Sequence, residues 1–181
     1  MRVISGSARG RKLGKLEGTE TRPTADRVKV GLFNAIQFDV PGTVVLDLFA
    51  GTGQLGIECL SRGAERAVFV DNRKEAIDLI RKNLNMTRFQ DRSQVIQMDS
   101  MSWLSSCRQR FDLIFLDPPY DSGLLEASLE RIMEIDILSK DGIIICESRV
   151  DTTLPQQILE KGKAKEYRYG HTKVTTIRMD V

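Results

Sequence analysis

Five short apolar runs recur along the chain: Val44–Leu48, Ala67–Val70, Val95–Met98, Leu113–Leu116 and Ile143–Cys146. Apart from Asp47 and Gln97, they are continuously apolar rather than alternating, as strands covered on both faces should be. Amphipathic stretches separate the first four. Ile57–Leu60 lies in one, and Ala76, Ile77, Ile80 and Leu84 recur at helical spacing in the next. A further helical segment around Leu124–Met133 precedes the fifth run. Strand–helix alternation of this kind predicts an α/β fold, a mostly parallel sheet with helices on both faces. The end of the chain differs. Lys165–Tyr169 and Lys173–Met179 flank Gly170-His171, with Val174, Thr176 and Arg178 on one face and Thr175, Ile177 and Met179 on the other. This predicts an antiparallel hairpin that brings the sheet to seven strands. At the front, Arg2–Ile4 and Arg11–Leu13 predict a small hairpin, and Thr24 is placed to cap a helix from Ala25 to Ile36 with Val28, Leu32 and Ile36 as its apolar stripe. The chain divides accordingly into an N-terminal extension, 1–40, and a main domain, 41–181.

A length of 181 residues with 41% hydrophobic and 29% charged positions fits one globular domain and argues against disorder. No apolar run approaches the length of a membrane span. Met1–Arg11 is basic and lacks the apolar stretch of a secretory signal. Cys59, Cys107 and Cys146 are far apart and form no CxxC pair, which suits neither a disulfide framework nor a zinc site. A cytoplasmic compartment, no membrane partner and no metal are expected. The net charge of +2 hides a pattern: residues 1–30 carry +5, residues 31–160 carry −7 and residues 161–178 carry +5. Two basic ends flank an acidic middle, and a basic block is the footprint of a polyanion.

The first strand runs into Asp47-Leu48-Phe49-Ala50-Gly51-Thr52-Gly53-Gln54-Leu55-Gly56, which satisfies G-x-G-x-x-G, and Asp71 follows at the end of the second strand. The pattern fits a dinucleotide. It fits S-adenosylmethionine as well, and Asp47 favours the latter. A fixed carboxylate before the loop repels a pyrophosphate, whereas it attracts the sulfonium and ammonium of S-adenosylmethionine. The alternative is that Asp47 only caps the following turn. Asp71 is placed to accept from ribose hydroxyls, and Asp99, at the end of the third strand, from an adenine amine, with Ser100 or Met101 adding a backbone N–H. Asp99 as the N-cap of the helix holding Trp103 and Leu104 is the competing reading.

The fourth strand delivers Asp117-Pro118-Pro119-Tyr120 at the ligand-binding edge of such a sheet. Two prolines remove two N–H donors, which leaves the Asp117 carboxylate and the Pro118 carbonyl as an acceptor-only surface. That surface matches a planar amine. Hydrogen bonds to both of its hydrogens would aim the nitrogen lone pair at a methyl group. Tyr120 offers a face on which an extruded base can stack. No strong base is needed, so His171, the single histidine, reads better as a hairpin-tip residue near a polyanion than as a catalyst. Phe33, Cys59, Cys146 and Trp103 read as packing. Asn34 fits either a helix surface or a site.

Asp47–Gly56 followed by Asp117–Tyr120 resembles the class I S-adenosylmethionine-dependent methyltransferases of exocyclic amines, with their Rossmann-like sheet. Met1–Gly6, Gly10-Arg11, Thr21–Lys29, Leu32–Asn34 and Tyr169-Gly170 extend the likeness, over almost the whole chain, to the RsmD family. These are bacterial 16S rRNA guanine-N2 methyltransferases. The resemblance implies methylation of the guanine at position 966 of small-subunit rRNA, catalytic duty on Asp117, Pro118, Pro119 and Tyr120, and cofactor binding by Asp47, Phe49, Ala50, Gly51, Thr52, Gly53, Asp71, Asn72, Asp99, Ser100 and Met101. Val30 departs from the family, which commonly has Glu there. Arg9, Arg11, Lys12, Arg22, Arg27, Lys29, His171 and Lys173 are the candidate RNA contacts, since cations in such number suit phosphates. A monomer acting on 16S rRNA within a small-subunit particle is expected. A DNA adenine-N6 methyltransferase shares the tetrapeptide but usually adds a recognition region, for which little chain is left. A glutamine methyltransferase usually carries Asn at position 117. An NAD-dependent oxidoreductase needs a catalytic constellation that is not found, and a non-catalytic RNA-binding module leaves the Asp117 and Gly51 segments without a purpose.

Overall fold

The computed structural model describes residues 1–16 and 23–179, and side chains of the first helix from residue 26 onward. Among these residues, seven strands form one sheet: β1 Val44–Asp47, β2 Arg66–Asp71, β3 Ser93–Gln97, β4 Phe111–Leu116, β5 Leu138–Arg149, β6 Gly162–Tyr169 and β7 Thr172–Met179. Their order is β3-β2-β1-β4-β5-β7-β6. The first five are parallel, and β7 is antiparallel to both of its neighbours. This is the expected Rossmann-like class I arrangement. From β1 the chain runs outward through β2 and β3 on one side and then returns to β4 on the other, so the strand order reverses at β1 and opens a crevice beyond the strands' carboxyl ends.

Among the described residues, six α-helices cover the sheet: α1 Pro23–Ala35, α2 Gln54–Ser61, α3 Lys74–Thr87, α4 Ser100–Ser106, α5 Leu124–Ile135 and α6 Gln156–Leu159. One face packs Leu32 and Phe33 of α1, Ile57 and Leu60 of α2 and Ile77 and Ile80 of α3 against Val45, Phe69 and Phe115. The other packs Trp103 and Leu104 of α4 and Leu129 and Ile132 of α5 against Leu46, Val68 and Ile114. β1, β2 and β4 are buried on both faces, which accounts for their apolar runs, whereas β3, at the edge of the sheet, is only half-buried, with Gln94 and Gln97 exposed. β7 is buried on both faces too, with Val174 in one core and Ile177 in the other. Among the described residues, no helix is long and apolar enough to cross a membrane.

Two expectations shift in detail. α1 starts at Pro23, ahead of Thr24, because proline suits the first helical turn. The front hairpin is a single bridge between Arg2 and Lys12, supported by Val3 N–H to Arg11 O (3.0 Å) and Leu13 N–H to Met1 O (3.2 Å), rather than two strands. It is anchored by Glu58 on α2, which is fully buried and accepts from the amides of Ile4 (2.8 Å) and Ser5 (3.0 Å) and from Arg62 Nε (2.9 Å). Val3, Ala8 and Leu13 enter the same core as α1 to α3.

Candidate active site

A cavity of about 650 Å³ opens at the carboxyl ends of β1, β2, β3 and β4. Of the residues singled out from the sequence, Phe49, Asp71, Asn72, Asp99, Ser100, Asp117, Pro118, Pro119 and Tyr120 line it. Leu48, Arg73, Met98 and Leu124 line it too and were not anticipated. Asp47, Ala50, Gly51, Thr52, Gly53 and Met101 are not in its wall.

The glycine loop is behind that wall for a geometric reason. Gly51 and Gly53 have φ of +56° and +75°, a region costly for any residue with a Cβ. Their turn starts α2 directly beyond β1. A Cβ on Gly56 would stand 2.3 Å from a Phe69 ring carbon, so this glycine lets α2 approach β2. Asp47 is 2% exposed, and its Oδ2 accepts the Gly56 N–H at 3.1 Å. Its reading as a direct contact of the cofactor is therefore corrected: the carboxylate braces the loop from beneath. Burial, with Asp71 nearby, lifts its pKa to about 7 despite that hydrogen bond.

Asp71 accepts the amides of Gly51 and Arg73 at 2.9 Å each, and Arg73 Nε and Nη2 at 3.2 Å each. The half-exposed guanidinium of Arg73 thus engages both oxygens of the buried Asp71 carboxylate at the border of the cavity. Asp99 is the N-cap of α4. Its Oδ1 caps α4 through Ser102 N–H at 2.9 Å, which holds its carboxyl below the usual range, while its exposed side borders the cavity.

Asp117 follows β4, and Glu147 lies on β5. Leu116 pairs with Cys146, so the two acids are the next positions on adjacent strands, on the same face. Both carboxyls are pushed above the ordinary range, Asp117 by burial and then by Glu147 and Asp47, Glu147 by burial. Glu147 Oε1 accepts from the Tyr120 hydroxyl at 3.4 Å, and Thr172 Oγ1 is 3.5 Å from that hydroxyl. Pro119 O accepts from Ser122 Oγ at 2.6 Å. A second cavity, of about 330 Å³, shares Pro118, Pro119 and Tyr120 with the first and is bordered by Glu147. Glu147 was missed because it stands just past the apolar run Ile143–Cys146. Its signal is its register with Asp117, which the sequence does not print.

The candidate RNA contacts separate into groups. Lys29 is 3% exposed, with Nζ at 3.2 Å from Glu58 Oε2 and 3.1 Å from Arg2 O. Lys173 is 4% exposed and donates to Thr152 O (2.7 Å) and Glu166 Oε1 (2.9 Å). Both are corrected to structural cations, because a phosphate cannot reach an ammonium that is buried and already paired. Arg22 lies outside the described residues, as does the Thr24 side chain. Arg9, Arg11, Lys12, Arg27 and His171 are exposed. His171 is at the β6–β7 tip, beside the carboxyl end of β5: its carbonyl accepts the Val150 N–H at 3.0 Å. α1 descends from this end, with Gly31 against Tyr169 and Asp39 bonded to Arg178 at the far end of β7 (2.7 Å), so Arg27 is at the site end. The turn carrying Arg9 lies on the last residue of α2, where Ser7 N–H meets Ser61 O at 2.8 Å, and Arg11 donates to Met86 O near the end of α3. Those two stand toward the opposite end of the sheet.

A family model described as conserved hypothetical protein 95 matches residues 1–178. The Bacillus subtilis protein YlbH is 42% identical over 177 residues, 96% of each chain. Ribosomal RNA small subunit methyltransferase D of Escherichia coli is 35% identical over 155 residues, 86% of this chain and 78% of that one. The chain belongs to the RsmD family. The structure of Escherichia coli yhhF superposes with a TM-score of 0.88 at 30% identity, covering 100% of this chain and 98% of that one. The part of this RsmD-family chain that its sequence leaves least visible is therefore not the sheet but the pairing of Asp117 with Glu147.

Proposed function

We propose that this protein transfers a methyl group from S-adenosylmethionine to the exocyclic N2 amine of a guanine in 16S rRNA. The observation that carries this reading is the acceptor-only corner at the end of β4. There the half-buried Asp117 carboxylate stands beside a Pro118 carbonyl that holds no hydrogen bond among the described residues. Membership of the RsmD family and the basic ends of the chain support it.

The residues fit the cofactor in volume and in sign: a cavity of about 650 Å³ with Asp71, Asp99 and Asp117 in its wall suits a cation. S-adenosylmethionine supplies an electrophilic methyl group on its sulfonium. Asp71 holds the ribose edge once Arg73 yields, Asn72 and Phe49 flank it, and Asp99 with Ser100 faces the adenine edge. Asp47, Gly51 and Gly53 fix the loop on which that surface depends. Asp117 and the Pro118 carbonyl accept the two amine hydrogens, Pro119 fixes the segment, and Tyr120 stacks on the flipped base. The proton released on methylation leaves to water. Arg27 and His171 hold phosphates close to the base, and Arg9, Arg11 and Lys12 hold more distant ones, which makes residues 1–40 a docking extension. The substrate is the small-subunit particle, and the enzyme acts as a monomer.

The test incubates protein and methyl-labelled S-adenosylmethionine with 30S particles, naked 16S rRNA and duplex DNA. Label in 16S rRNA, with more on particles, is expected. Label only in DNA overturns the reading.

A further inference from the structure

We infer that Glu147 selects guanine over adenine by accepting the ring N1–H of the target base beside the amine held by Asp117. This rests on the reading of the site given above and adds what that reading lacks, since Asp117 and the Pro118 carbonyl alone fit any planar amine.

The argument is a count of donors and acceptors. Parallel strands run about 4.8 Å apart, and Leu116 pairs with Cys146, so Asp117 and Glu147 present their carboxylates side by side. Glu147 also borders the cavity on the other side of Pro118–Tyr120 and reaches the Tyr120 hydroxyl, which ties it to the residue assigned to stacking. The corner therefore offers two carboxylates and one free carbonyl, and among its described residues no cation pairs with either acid. Placing two acids together in a half-buried corner is unfavourable unless donors meet both. The Watson–Crick edge of guanine carries three adjacent hydrogens, two on N2 and one on N1. Adenine carries two on N6, and its N1 is a lone pair that would face the Glu147 carboxylate. A site that rejects a competitor through an acceptor set against an acceptor discriminates by repulsion as well as by attraction.

The test uses 16S rRNA assembled into 30S particles with guanine or 2-aminopurine at the methylated position. The analogue keeps the 2-amine and replaces N1–H with a lone pair. Wild-type enzyme is expected to prefer guanine by about 100-fold or more in kcat/KM, and Glu147→Gln, whose amide can donate to N1, to shrink that ratio at least about tenfold. Tyr120→Phe, which removes the hydrogen bond to Glu147, should leave the ratio unchanged. Retained melting temperature in Glu147→Gln shows that the fold persists. Equal losses on both bases overturn the proposal while leaving the function intact. N6-methyladenosine as the wild-type product overturns the function and this proposal together.

Discussion

Replacing Lys29 with Met separates a structural cation from an RNA contact. The ammonium is 3% exposed, 3.2 Å from Glu58 Oε2 and 3.1 Å from Arg2 O, and Glu58 is fully buried. Breaking a buried pair by removing one partner costs about 3–5 kcal/mol when the other charge is left alone. Glu58 is not left alone: Arg62 Nε at 2.9 Å and the Ile4 and Ser5 amides remain. The methionine also refills most of the volume. A loss of about 2–3 kcal/mol is therefore expected, near the lower limit for such a pair, or roughly 5–10 °C in Tm for a chain of this size. Urea unfolding at pH 7 reads the stability. Binding to 16S rRNA across a salt series reads the phosphate contacts, and its slope should not change. An unaltered Tm together with a slope reduced by about one phosphate contact would refute the reasoning and return Lys29 to the RNA.

The other predictions concern the loop and the basic surface. Asp47→Asn keeps an acceptor for the Gly56 N–H and removes a buried ionisable group whose folded pKa is raised to about 7. A carboxyl raised on folding stabilises while it is neutral, and that contribution is lost as pH rises through about 7. The variant should thus be the more stable protein above about pH 4, by about 4 kcal/mol at pH 8; a gap in urea unfolding that does not grow from pH 5 to pH 8 would contradict this. Arg27→Ala should weaken 16S rRNA binding more than Arg11→Ala, because Arg27 is at the site end while the Arg11 guanidinium engages Met86 O. The reverse ranking in filter binding would place the RNA along the far flank instead.

The sheet was legible because burial on both faces leaves an apolar signature in β1, β2 and β4, and four of the five apolar runs, the half-buried edge strand β3 included, became strands within a few residues of their expected bounds. β5 runs longer, Leu138–Arg149, because its polar start, Ser139–Gly142, with Lys140 and Asp141 exposed, breaks the apolar pattern without breaking the strand. Lys29 and Lys173 were misjudged for one reason. A lysine's fate depends on a carboxylate elsewhere in the chain, Glu58 or Glu166, and local periodicity carries no information about it. Asp47 shows the converse. Its place before a glycine loop was readable, but whether the carboxylate faces the cavity or the turn depends on the side of the strand from which α2 departs. Glu147 is invisible for the same kind of reason: its meaning comes from strand pairing.

The most direct measurement digests 16S rRNA to nucleosides after reaction with the wild-type protein and with Asp117→Asn, alongside calorimetric binding of S-adenosylmethionine to each. The account predicts N2-methylguanosine from the wild type. It predicts at least about a hundredfold less from the variant, the scale expected when one transition-state hydrogen bond is lost, with cofactor affinity retained. N2-methylguanosine formed by Asp117→Asn at the wild-type rate, or any other methylated nucleoside in its place, would contradict it.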